Sequence, residues 1–199
     1  MKLSCARPLA SLALVACLST SGQAATVWDE STQGDLSNNR LQPTALAMTA
    51  GDNLVFGSVG SESGPIDRDF FSFSVPANGL LQAVVLLGNT SVSGSSSFLA
   101  LQAGPKVTTT PGGQNISALL GFIHYDPSMI GQNLLPLMGV ANLPLPAGTY
   151  SVWVQELSQV VPYGLNFVLS AVPEPGAGGL LLAGLAGLMG IRALRRPRR

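Results

Sequence analysis

One histidine, two closely spaced aspartates and a few scattered aromatic rings are nearly all the reactive chemistry in the middle of this 199-residue chain. His124 stands in "HYD", two residues from Asp126 and so on the same side of an extended strand. A lone imidazole without a partner nucleophile makes no triad, and without cysteine or further histidine it makes no zinc site. Its ordinary place is the face of a sheet. Asp67 and Asp69 flank Arg68. Two carboxylates on one side of a strand could hold calcium together with backbone carbonyls, because calcium takes oxygen ligands. A solvated turn with a local arginine pair accounts for the same residues and is the favoured expectation. As a glycosidase pair they stand too close along one strand to straddle a sugar. No G-x-S-x-G, phosphate-cradling loop or dinucleotide fingerprint occurs. No catalytic residue, metal or cofactor is therefore expected. Asn89 in "NTS" and Asn115 in "NIS" fit the glycosylation sequon. Trp28, Trp153, Tyr125, Tyr150 and Tyr163 are the candidate stacking residues, although aromatics on strands usually serve the core.

The elements that must position these groups are strands. Residues 25–171 are rich in Gly, Ser, Thr, Asn and Pro, with short apolar runs between them and poor helical periodicity. "DFFSFSV" alternates, with Phe71, Phe73 and Val75 on one face and Ser72 and Ser74 on the other. Gly64-Pro65 precedes it and Pro76-Ala77-Asn78-Gly79 ends it, both turn signals. "YSVWVQE" puts Val152 and Val154 on one face, and "YGLNFVLSAV" groups Leu165, Phe167 and Leu169. "DNLVFGSVG", "LLQAVVLLG", "SSFLALQAG" and "GFIHYD" are further strands. The pattern predicts an all-β ectodomain, an antiparallel, jelly-roll-like β-sandwich. Its edges are expected to be blunted by Gly and Pro, and "KVTTTPGGQN" over 106–115 to be a mobile insert.

Charge is segregated. Formal net charge is zero, yet between residues 25 and 175 only Arg40, Arg68 and Lys106 face ten acidic residues. A mildly acidic domain does not suit a polyanion, so nucleic acid is excluded as a partner. Both cysteines, Cys5 and Cys17, lie before residue 25. A domain beginning there has no disulfide and must be held by its apolar core.

The ends carry topology signals. Lys2 and Arg7 precede an apolar run from Leu9 to Leu18, too short to span a bilayer, and small and polar residues follow. This is a signal peptide over 1–24, cleaved by signal peptidase after Ala24 with Gly22 at minus three. "LVAC" allows an alternative, a lipoprotein anchored through Cys17. At the other end, 176–191 holds sixteen residues without charge. As a helix they cover about 24 Å of a hydrocarbon core about 30 Å thick. Snorkelling of Arg192 extends the membrane helix over 176–194. Arg192, Arg195, Arg196, Arg198 and Arg199 form the cytoplasmic stop, with 195–199 as the basic tail. Just outside the span stands Val172-Pro173-Glu174-Pro175, where prolines forbid helix and hold an extended, acidic element of the kind processing enzymes read.

Pro173-Glu174-Pro175, the apolar span and the arginine cluster, in that order, resemble the C-terminal sorting signal of PEP-CTERM proteins of Gram-negative bacteria. The resemblance covers 172–199 and implies a substrate, not an enzyme. Its partner is the membrane enzyme exosortase, and the resemblance implies that the anchor is removed near the motif so that the ectodomain passes from the inner membrane to the cell surface or an exopolysaccharide matrix. The segments 35–60 and 67–88 are similar to the pre-peptidase C-terminal type of β-sandwich. That likeness rests on Gly60, Asp67, Asp69, Phe71, Phe73, Val75 and Pro76, then Gly148 and Tyr150, and it implies an accessory module for binding or secretion. The expectation is an exported, non-enzymatic protein of the cell surface or matrix that binds polysaccharide. The alternative is a secreted hydrolase of matrix polysaccharide.

Overall fold

A computed structural model of the chain describes residues 24–94 and 97–171. The expected signal peptide apart from Ala24, the expected sorting motif at 172–175, the expected span 176–194 and the arginines at 192–199 lie outside the described residues. Among the described residues no helix is long and apolar enough to cross a membrane.

Among the described residues nine strands form two sheets. They are β1 Ala25–Asp29, β2 Thr44–Leu46, β3 Gly51–Val59, β4 Arg68–Val75, β5 Gly79–Leu86, β6 Ser97–Ala103, β7 Leu119–Tyr125, β8 Gly148–Gln155 and β9 Val161–Ala171. One sheet has the order β1-β3-β9-β5, the other β2-β4-β8-β6-β7. Two four-residue helices, α1 Glu30–Gln33 and α2 Leu134–Leu137, lie between strands. All seven strands expected from the alternation are present. The two additional strands, β1 and β2, pair parallel with β3 and β4, so the sandwich is antiparallel except at two of its edges.

The alternation is what packs the sheets together. Phe71, Phe73 and Val75 of β4 and Val152 and Val154 of β8 face inward, opposite Leu165, Phe167 and Leu169 of β9. Phe167 meets Phe71 edge-on at 5.7 Å and Phe73 at 5.1 Å. Such aromatic pairs add to the stabilisation from area burial. In β5 the inward positions are Leu81, Val84 and Leu86, a change of parity made by a bulge between Leu81 and Ala83. The β5 and β7 edges are covered by the chain between β7 and β8. Leu145 exchanges backbone hydrogen bonds with Leu81 of β5, Gly131 N–H donates to Leu86, and Phe122 N–H of β7 donates to Met138. Leu134 and Leu135 of α2, fully buried, plug the space that this segment crosses. Edge protection is thus supplied by backbone pairing more than by Gly and Pro.

The outer face of the five-stranded sheet carries a second, smaller cluster of Phe70, Ala100, Val107 and Trp153. Val107 lies in the stretch expected to be a mobile insert, yet it is fully buried. Arg40 fixes it by donating to the carbonyls of Val107 at 3.1 Å and Thr108 at 2.8 Å. Gln102 exchanges two further bonds with Thr108. The first part of the insert is therefore a lid held against the sheet, and this is why Phe70 of β4 is buried on the face that alternation assigned to solvent.

Register also fixes direction. Ala25 pairs with Asn53, Leu169 with Gly51 and Ala171 with Gly79. The chain enters β1 and leaves β9 at one end of the sandwich, the near pole. The far pole holds the start of β4 beside the end of β8, where Arg68 pairs with Gln155.

Candidate functional site: an aromatic cleft on the outer face

Three neighbouring strands build a cleft on the outer face, toward the far pole. Trp153 of β8 pairs with Ala100 of β6, which pairs with Phe122 of β7. Phe98, two residues from Ala100 and so on the same face, pairs with His124 and Gln155. The alternation Phe98-Ala100-Gln102 outward against Leu99-Leu101 inward sets a large ring beside a small floor. Phe98 lies 4.6 Å from Trp153, stacks on Phe122 at 5.9 Å and meets His124 edge-on at 5.4 Å. Thr109, Thr110 and Ile116 of the 104–118 connection form one wall, and Glu156 and Leu157 form the far-pole wall. The enclosed volume is about 470 Å³, within the range of small-ligand sites.

Polar groups along the cleft divide into satisfied and unsatisfied. Glu156 is satisfied. It accepts from Ser97 Oγ at 2.7 Å, Ser93 N at 3.2 Å, Leu157 N at 2.7 Å and Ser158 N at 3.2 Å. Burial pulls its pKa upward, but the bonds from Ser97, Leu157, Ser93 and Ser158 outweigh it and hold the carboxyl below the usual range. It stays ionised and serves as a rivet between strands. Trp153, 5 % exposed, and Thr109, 5 % exposed, leave Nε1 and Oγ1 without any hydrogen-bond partner. An orphaned buried donor costs about 1–3 kcal/mol. Glu156 is the sole carboxylate among the described residues lining the cleft.

Of the five aromatics singled out in the sequence, only Trp153 reaches this cleft. Tyr125, Tyr150 and Tyr163 are core residues, and Trp28 donates its Nε1–H to Gly34 at 3.1 Å near the opposite sheet. Phe98 and Phe122 were not singled out, although Phe122 is well exposed. The available signal was the alternation of "SSFLALQAG" and "GFIHYD", but which rings share a face across strands depends on register, which one sequence does not reveal. His124 is exposed and sits on the cleft rim. Asp126 does not bond to it; it caps a short 3-10 turn by accepting from Ser128 N at 2.7 Å, and the Ser128 bonds hold its pKa below the usual range. Asp67 and Asp69 do not act as a pair on one turn. Asp67 accepts a 3.3 Å bond from Asn38, while Asp69 points into the sandwich and is completely buried. Ala24 is exposed just ahead of β1. In the sequons, Thr90 is buried and bonded to Gly164, and Asn115 accepts from Ser117.

Comparison with models of known families, with curated proteins and with solved structures finds no match to this chain.

Proposed function

We propose that this chain is an exported, non-enzymatic protein of the cell surface or exopolysaccharide matrix, and that its sandwich holds polysaccharide in the aromatic cleft. The carrying observation is the composition of that cleft. Phe98, Phe122 and Trp153 line it together with Thr109, and Trp153 Nε1 and Thr109 Oγ1 have no hydrogen-bond partner. Sugars present C–H faces that stack on aromatic rings and hydroxyls that accept from buried donors. Hydrolysis needs two carboxyls flanking the scissile bond. The cleft offers one, and its oxygens are already occupied by Ser93, Ser97, Leu157 and Ser158.

The route of export is read from the ends. Signal peptidase would cut after Ala24, the 176–194 helix would hold the inner membrane, and exosortase would act at Val172-Pro173-Glu174-Pro175. The jelly-roll reading belongs to the same proposal. It is supported by β3-β9-β5 facing β4-β8-β6-β7, with Leu145 bridging beyond β5 where an eighth strand of a jelly roll would lie.

The test is retention and turnover on a panel of immobilised matrix polysaccharides, using the exported protein and its Phe122→Ala variant. Retention that falls at least tenfold in the variant, with no release of reducing ends, is expected. Release of reducing ends would establish the hydrolase instead, and equal retention of both proteins would remove the cleft from the reading.

A further inference from the structure

At the far pole, on the side of the molecule away from the cleft, three carboxylates converge. Glu30 opens α1 directly after β1, Asp35 follows that helix, and Asp69 is the second residue of β4. One oxygen from each lies within 4.8 Å of the other two. A calcium ion binds oxygens at about 2.3–2.6 Å, so oxygens up to about 4.8 Å apart can share one ion.

Acidic groups gather on many surfaces without an ion. Asp69 is the independent observation that separates this cluster from those. It is 0 % exposed. Its Oδ2 accepts from Tyr163 Oη at 2.6 Å, but its Oδ1 has no hydrogen-bond partner. The charged groups that act on it are all negative: Glu30, Asp67 and Asp35. A buried carboxylate with an open oxygen and only like charges around it lacks a counter-charge. Outward alternation does not explain it either, because Asp69 shares its face with Phe71, Phe73 and Val75.

We propose that Glu30, Asp35 and Asp69 form a divalent-cation site that takes calcium. Glu30 is already oriented for the task. Its Oε1 accepts from Leu36 N at 3.0 Å, and its Oε2 accepts from Ser58 N at 2.7 Å and Ser58 Oγ at 3.2 Å. A carboxylate oxygen that accepts one such bond keeps a lone pair for a metal. Asp35 is exposed and gives an ion its way in, while Asp69 closes the site from within. An all-oxygen donor set suits a hard cation, and the irregular geometry of ligands from a strand, a helix start and a loop suits calcium better than octahedral magnesium. Water and backbone carbonyls complete the coordination. The site joins β1 and α1, on one sheet, to β4 on the other. It does not depend on the polysaccharide reading.

The rival account is a buried Asp69 kept neutral by its own proton. Terbium luminescence distinguishes the two. The full chain, solubilised in detergent and stripped with chelator, is titrated with terbium and excited through its aromatic residues, Tyr163 being bonded directly to Asp69. Saturable emission that millimolar calcium displaces is expected. Asp35→Asn should weaken it at least tenfold, and Asp69→Asn should abolish it, while near-ultraviolet circular dichroism stays unchanged because the amide oxygen of Asn still accepts from Tyr163. Thermal melting is the second readout: calcium should raise the midpoint by several degrees in the parent and not in Asp69→Asn. Emission that is absent, or equal in the parent and in Asp35→Asn, overturns the site. Asp35 is exposed, so that variant folds and decides the matter even if Asp69→Asn does not fold.

Discussion

Asp69 and Trp153 are both buried polar residues with one unsatisfied atom, and they predict opposite kinds of sensitivity. For Asp69 the sensitive variable is pH. Burial, reinforced by the charge of Glu30, pushes its carboxyl from an ordinary 3.8 up to about 9, against the lowering effect of the Tyr163 bond. In the unfolded chain it titrates near the ordinary value. The folded state therefore binds the extra proton, and stability from this group is complete below about pH 4 and is lost progressively as pH rises toward 9. In chelator, the melting midpoint should fall from pH 5 to pH 8.5, with a slope from this group of at most roughly 1.4 kcal/mol per pH unit. Asp69→Asn should remove that part of the slope. Calcium should flatten it as well, since an ion favours the deprotonated form. For Trp153 the sensitive variable is ligand. Trp153→Phe deletes an N–H that bonds to nothing and keeps a ring against Phe70 and Phe98. Stability to denaturant should change by less than about 1.5 kcal/mol, because the cost of the smaller ring's cavity is offset by removing a buried N–H that bonds to nothing. Polysaccharide retention should nonetheless drop several-fold, as measured by affinity electrophoresis. Trp153→Ala should instead cost about 3–5 kcal/mol, because it empties the outer cluster.

Among the elements, β3 and β9 show how one strand shapes the site on another. Gly57 of β3 pairs with Tyr163 of β9, and a Cβ at Gly57 would stand 2.6 Å from the Tyr163 hydroxyl oxygen. That absence of a side chain lets the phenol lie where it donates to Asp69. Gly57→Ala should displace the ring, break the Tyr163–Asp69 bond and destabilise the fold by about 1–3 kcal/mol, seen as an earlier urea midpoint. Calcium affinity should fall with it. The main strands were legible in the sequence because an alternating face buried against a second sheet leaves a period of two, as in Phe71-Phe73-Val75. β1 and β2 were not, since a short edge strand pairing parallel on one side needs no such period. The insert over 106–115 reads as polar and glycine-rich, and its docking depends on Arg40, sixty-seven residues from Val107. The same alternation that places Phe71 inside also places Asp69 inside, so one of the three members of the acidic cluster was readable. Its convergence with Glu30 and Asp35 was not, because that depends on where α1 sits across the sandwich.

For the whole molecule, folding and sorting should separate cleanly. The core draws on residues from Leu36 to Leu169, and the motif at Pro173-Glu174-Pro175 stands beyond it in the sequence. Glu174→Ala should leave export and the melting midpoint unchanged while trapping the protein in the inner membrane; fractionation followed by immunoblotting of the ectodomain reads this out. Full release of a shortened Glu174→Ala protein would refute sorting through the motif. The arrangement of the poles adds a mechanical consequence. The chain leaves at the near pole through β9, whose eleven residues are paired with β3 on one side and β5 on the other. The cleft opens toward the far pole. Under the proposed role, a pull between the end of β9 and a polymer seated in the cleft would run along the strands rather than across them. Such a pull would load the hydrogen bonds of β9, paired on both sides, in shear instead of peeling them open one by one.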